Sequence, residues 1–196
     1  MMKRKIVHGE NGTSLIEFSM VLPLILILLL GMVEVSYALL DQHIVTKLTR
    51  EGSNLISRDT DLPTAANVLK GMSTRPVNFD DGTSKVIFSV IKNVSTTTAT
   101  NYNQPVLYAR YVYGSYTGSS QLTTAGTGGF GGGGLPGYQA SDPGGDTALR
   151  LTNLPVTVPL GGWLYVTEVY TRHQLITPFG NFGGTVPDHL YSIAFF

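Results

Sequence analysis

Phe18-Ser19-Met20-Val21-Leu22-Pro23-Leu24-Ile25-Leu26-Ile27-Leu28-Leu29-Leu30-Gly31-Met32-Val33 is a stretch of 16 residues without a charge. At 1.5 Å per residue it makes a helix about 24 Å long, a little short of a hydrocarbon core of about 30 Å. Leu15 and Ile16 precede it across Glu17, and Val35, Tyr37, Ala38, Leu39 and Leu40 follow Glu34, so a run from Leu15 to Leu40 spans a bilayer. Lys3, Arg4 and Lys5 lie before it, which by the positive-inside rule keeps that end cytoplasmic and predicts export of everything after Leu40. Pro23 removes one backbone hydrogen bond within the run and predicts a kink, which membrane helices tolerate where neighbours re-satisfy the freed carbonyl.

The rest of the composition narrows the function. Across 196 residues Lys+Arg and Asp+Glu each number 13, and only 13% of residues are charged, so no general basic surface for nucleic acid exists. Cysteine is absent, which excludes disulfides, thiolate metal sites and a cysteine nucleophile. His8, His43, His173 and His189 show no metal-ligand spacing, and no Gly-x-Ser-x-Gly elbow or phosphate-cradling Gly-Lys-Ser/Thr loop occurs. Asp142 and Asp146 lack the ligand ladder of a calcium loop. The acids of the later part are scattered singly and read as solvated surface groups. The expectation is a protein that is not an enzyme, with no cofactor and no metal.

The residues before the apolar run read Gly12-Thr13-Ser14-Leu15-Ile16-Glu17. A carboxylate costs about 2.5–3.5 kcal/mol at the centre of a bilayer and less near its surface, so an acid at the edge of such a run calls either for water or for a partner. No basic residue stands within two helical turns of Glu17. Glu34 comes 17 residues later, about 25 Å along the helix, and reads as the outer membrane–water boundary or as a packing position. Three fates suit this segment: a secretory signal cut after Ala38, a plain single-span anchor, or a processed assembly helix.

The string from Gly12 to Glu17 resembles the processing site of type IV pilins and pseudopilins, in which a dedicated peptidase cuts after the glycine and a glutamate stands fifth in the mature chain. Glu17 is fifth when Thr13 is first. With Phe18, Val21, Leu22, Pro23, Gly31 and Glu34 added, residues 12 to 58 resemble the TadE-like minor pseudopilins of tight-adherence pilus systems, and Tyr165 to Thr177 resembles their closing β segment. The resemblance implies a 1–12 leader removed by a prepilin peptidase, with Gly12 and Thr13 as the processing site. It further implies subunit registration by Glu17, and helix packing or a kink at Pro23, Gly31 and Glu34. The implied partners are the peptidase, other pilin and pseudopilin subunits, the inner-membrane assembly platform and the lipid bilayer. The implied location is the bacterial inner membrane, single-pass, with the N-terminus cytoplasmic and the later domain periplasmic or carried into an extracellular filament. Cleavage leaves 10 basic and 12 acidic residues and creates a terminal amine at Thr13, protonated near neutral pH at its reference pKa of about 7.7–8.0. In low dielectric that amine and the Glu17 carboxylate of a neighbour neutralise each other. The alternative is a membrane-anchored or secreted β-rich binding module, adhesin-like, without a filament role.

Beyond the apolar run, Leu40, Ile44, Leu48 and Leu55 recur at helical spacing while Asp41, Gln42, Lys47 and Arg50 take other directions, which predicts one helix over 13–58. Gly52 and Ser53 weaken it. Thr60 or Asp61 is positioned to cap a short helix from about Pro63 to Lys70 that Gly71 ends. After Gly71 the period changes to two: Lys85 to Lys92, Leu107 to Tyr113, Ala148 to Val158, Trp163 to Thr171 and His189 to Phe196 are rich in β-branched and aromatic residues. The expected class is α+β, a long N-terminal helix followed by an antiparallel β domain over 59–196. Residues 126–145 include ten glycines and predict a mobile loop. The tyrosines Tyr102, Tyr108, Tyr111, Tyr113 and Tyr116, and the group Trp163, Tyr165, Tyr170, Phe179 and Phe182, are expected to pack across strands.

Overall fold

The structure, a computed structural model, describes residues 10–183 and 187–196; the basic triplet and most of the expected leader lie outside the described residues. The architecture is α+β. Helix α1 runs Glu10–Ser57 and α2 Leu62–Met72, followed by strands β1 Ser84–Asn93, β2 Pro105–Tyr113, β3 Trp163–Arg172 and β4 His189–Phe195. All neighbouring pairs are antiparallel, in the order β2-β1-β3-β4. A bulge at Val90/Ile91 shifts the register between β1 and β2.

Two compact units are present: Met1–Leu39 with Leu175–Pro187, and Leu40–Gln174 with Asp188–Phe196. In the first unit, α1 continues through Pro23 and its apolar side chains face outward; Leu24, for example, is 60% exposed. Only Ile27, Leu30, Gly31 and Glu34 between Thr13 and Glu34 escape full exposure, and they recur at helical spacing on one face.

The second unit holds the sheet. Val86, Phe88 and Val90 of β1, Val169 of β3 and Leu190 of β4 share a core with Val45, Leu48 and Ile56 of α1 and with Ala65, Ala66 and Leu69 of α2. The opposite face of the sheet is also covered, since Ile91 and Val166 pack with Leu122 from the long connection between β2 and β3. Burial of β1 on both faces explains its nearly continuous apolar run. Asp61 caps α2, its carboxylate accepting from Thr64 N, and the helix ends at Met72 rather than at Gly71 because the Ser73 N–H still bonds to Lys70 O.

Several expectations need correction. The buried stripe of the outer half of α1 is Asp41, Val45, Leu48, Gly52 and Ile56, whereas Leu40 is exposed and Ile44 and Leu55 are half-buried. Gly52 lies close against the sheet, since a β-carbon there would stand 2.7 Å from Thr167 Cγ2. Ser53 likewise serves packing, its hydroxyl donating to Ala194 O at 3.0 Å.

Ala148 to Val158 forms no strand. Asp146 accepts from Ala148 N at 2.9 Å and turns Thr147–Leu149 into a 3-10 helix, leaving only bridges at Arg150 and Leu151. The glycine-rich stretch is tied down as well. Buried Asn101 donates through Nδ2 to Pro143 O and Asp146 O, Asp146 accepts from Gly129 N, and Ser141 accepts from Gly132 N. Gly131, Gly133 and Gly134 all take positive φ there, so the glycines are used for backbone shape. Part of the aromatic expectation holds: Tyr108 meets Trp163 edge-on at 4.9 Å and Tyr170 lies 4.6 Å from Tyr191, whereas Tyr102 and Phe182 are exposed and lie outside the strands.

Gly52→Val is expected to destabilise the protein by about 1–3 kcal/mol through overpacking against Thr167, read as a lower melting temperature. Tyr138 donates to Asp61 at 2.6 Å, which holds that carboxyl below the usual range and pushes the Tyr138 phenol up to about 12. A raised phenol contributes stability that is complete below pH 10 and lost as pH climbs toward 12, while the lowered carboxyl contributes stability that is present above about pH 4 and lost in acid. Tyr138→Phe should therefore melt lower than wild type at pH 7 and lose that difference at both pH extremes.

Candidate functional site

No side-chain constellation of the described residues carries an obvious reaction. Among them no three His, Asp or Glu side chains converge at metal-binding distance. What stands out is the chemistry of the helix and of a few buried acids.

At the N-terminal end of α1, Thr13 to Val21 are all exposed, and Glu17 stands among Leu15, Ile16 and Phe18 with none of the described hydrogen bonds or ion pairs reaching its carboxylate. Gly12 and Thr13 lie within the helix, a little over one turn before Glu17. α1 is the one described helix long and apolar enough to cross a membrane. An apolar helical surface this extensive, with a carboxylate set into it, needs either lipid or other helices around it.

Glu34 is fully buried. Within its unit the carboxylate accepts from Ile176 N at 3.0 Å, from Thr177 N at 2.8 Å and from Thr177 Oγ1 at 2.7 Å. Backbone donors aimed at a carboxylate are a strong arrangement in low dielectric, because leaving the charge unsatisfied costs far more than the bonds return in water. Gly31 is buried one turn below. Of the expected packing residues, Gly31 and Glu34 thus fall on the covered face, while Pro23 is exposed.

Two further buried acids lie in the sheet unit, against the expectation that acids there are solvated. Asp41, expected to face away from the core, accepts from or pairs with His173 Nδ1 at 2.7 Å, and both side chains are almost completely buried. Glu168, in the middle of β3, is fully buried and receives Ser120 Oγ, Gln121 N at 2.7 Å and Tyr191 Oη at 3.0 Å. Arg110 lies in the same field, its Nε donating to Ser89 Oγ and its guanidinium to Leu122 O, and burial pushes its pKa down against the opposing pull of Glu168. Burial and the Glu168 charge push the Tyr191 phenol well up. Each group is consumed by structural bonds, and the network fastens the β2–β3 connection to the outer face of the sheet. Asp41 lies seven residues after Glu34 and so on the same helical face, but the burial of that face is seen only in the structure. Glu168 carried no such signal.

Glu34→Gln exchanges one acceptor oxygen for an NH2 group that faces N–H donors. It is expected to cost about 1–3 kcal/mol locally and to speed hydrogen exchange at the Ile176 and Thr177 amides, while the β1 amides stay protected.

Compared with known proteins, residues 12–54 match the family model described as TadE-like protein. The match begins at Gly12, takes in Glu17, Pro23, Gly31, Glu34 and Asp41, and ends inside α1. Residues 55–196, including Tyr165 to Thr177, lie outside it. No curated protein and no solved structure matches the chain.

Proposed function

We propose that the protein is a minor pseudopilin that takes part in assembly of a tight-adherence type IV pilus. The observation that carries this reading is the coincidence of the TadE-like match over residues 12–54 with an exposed apolar helix whose acid, Glu17, stands five residues after Gly12. A prepilin peptidase cuts between Gly12 and Thr13, removing Lys3, Arg4 and Lys5 and with them the strongest electrostatic tie to the cytoplasmic side. The chain is then held in the inner membrane by α1, with the sheet unit on the periplasmic side, and is free to move with other subunits.

The new amine of Thr13 and the Glu17 carboxylate of a neighbouring subunit form an intermolecular pair. In lipid each charge alone is expensive, so the two align adjacent helices in one register. Pilin and pseudopilin subunits pack along the exposed apolar face, and the assembly platform meets the inner end. The role is structural. A binding module without a filament role would need neither the glycine–glutamate spacing nor the match that begins at Gly12.

Mass spectrometry of the protein from its native host is expected to find Thr13 at the mature terminus. A terminus at Leu39 would indicate ordinary secretion, and retention of Met1 with normal pili would contradict processing. Glu17→Ala is expected to be cleaved normally yet to enter assemblies poorly, read by co-purification of the other subunits; assembly at the wild-type level would remove the role given to Glu17.

A further inference from the structure

Between β3 and β4 the chain leaves the sheet after Arg172 and from Leu175 runs Leu-Ile-Thr-Pro-Phe-Gly-Asn-Phe-Gly to Gly183, nine residues without a charge, bracketed by Arg172 and Asp188. Leu175, Ile176 and Phe182 are 48%, 43% and 56% exposed. Three large apolar side chains left open on one short connection are unusual for a surface in water. From this segment and the helix beside it in the same compact unit we infer that Leu175–Gly183 is a membrane-contacting element, seated at the outer lipid boundary.

The depth follows from Glu34. If Glu17 marks one edge of the hydrocarbon, Glu34 lies about 25 Å along the helix and so about 5 Å short of the opposite edge. A carboxylate at that level lacks bulk water and needs donors, and the donors are Ile176 N, Thr177 N and Thr177 Oγ1. Residues that bond to Glu34 share its depth. The covering of Gly31, one turn deeper, with Ile27 and Leu30 half-covered on the same face, points the same way, because Leu175–Pro187 is the other stretch of chain in that unit.

The composition suits the boundary rather than the bilayer centre. Irregular backbone exposed to hydrocarbon leaves polar groups unsatisfied; the Ile176 and Thr177 amides at that depth are spent on Glu34, and the remainder of the segment rises to the headgroup level, where water reaches it. Pro178–Phe182 is a short 3-10 helix and Gly183 N bonds back to Gly180 O, so part of the backbone is satisfied internally. Leu175, Ile176 and Phe182 supply the apolar contact, as side chains do in elements that lie on a membrane. The occupant of this surface is lipid, continuous with the lipid around α1. The inference rests on the membrane-spanning reading of α1, and its test separates the two.

The natural absence of cysteine makes single-site labelling direct. Full-length protein carrying Phe182→Cys, Leu175→Cys, Leu24→Cys or Thr97→Cys, all at exposed positions, is labelled with an environment-sensitive fluorophore and reconstituted into phosphatidylethanolamine–phosphatidylglycerol vesicles. Quenching by a nitroxide placed near the headgroup on a lipid chain is compared with quenching by a water-soluble nickel chelate. Labels at 182 and 175 are expected to shift to the blue relative to 97 and to be quenched several-fold more by the shallow lipid nitroxide than by nickel, with the ratio reversed at 97. Nickel quenching at 182 and 175 equal to that at 97, while 24 remains quenched by lipid, overturns the loop inference and leaves the membrane helix standing. Loss of lipid quenching at 24 as well overturns both. Protection at 182 and 175 that occurs only in native membranes holding other pilus components, and not in vesicles, also overturns the inference by assigning the surface to a protein.

Discussion

The inner face of the sheet has to be closed, and the outer part of α1 closes it. Val86, Phe88, Val90, Val169 and Leu190 would face water if Val45, Leu48 and Ile56 were not set against them. Apolar burial of this kind is the main favourable term in folding, and a four-stranded sheet without it is marginal. Gly52 shows how close the fit is, since no side chain fits between the helix and Thr167. Polar stitches complete it: Gln42 Nε2 donates to Tyr191 O, and Ser53 Oγ to Ala194 O. A single helix therefore carries two kinds of surface, one exposed and apolar before residue 40, the other a buried stripe after it.

The buried acids obey the same economy of charge. Glu34 has backbone amides and a threonine hydroxyl, Asp41 has His173, and Glu168 has a serine, an amide and a tyrosine. Each joins segments far apart in sequence, so each fixes how a connection lies against a regular element. Glu17 differs, because it is exposed among apolar side chains and its partner is assigned to another molecule. The contrast is between three acids satisfied within the fold and one, near the N-terminal end of α1, that is open; the proposed assembly role rests on that open acid.

Much of this was legible in the sequence. The uncharged run Phe18–Val33 announced the helix, and the β-branched and aromatic segments announced four strands to within about two residues, because buried strands need those side chains. The fifth segment, Ala148 to Val158, has a similar composition but follows Asp146, whose side chain bonds Ala148 N and starts a turn instead. The helical stripe was displaced because Ile44 and Val45 are equally apolar and the choice between them depends on where the sheet lies. Glycine content suggested freedom in residues 126–145, yet Asn101, Ser141 and Asp146 supply the bonds that order it. Glu168 and its donors were out of reach, since Ser120 and Gln121 lie nearly fifty residues earlier and strand order was unknown.

The claim that the outer part of α1 is a core element of the sheet, and not merely a tether to it, is tested most directly by the cooperativity of unfolding of two fragments, 40–196 and 59–196. Fragment 40–196 is expected to melt in one sharp transition, while 59–196, lacking Val45, Leu48 and Ile56, should expose apolar surface and show none. A cooperative transition of 59–196 at the same temperature as 40–196 would contradict the account.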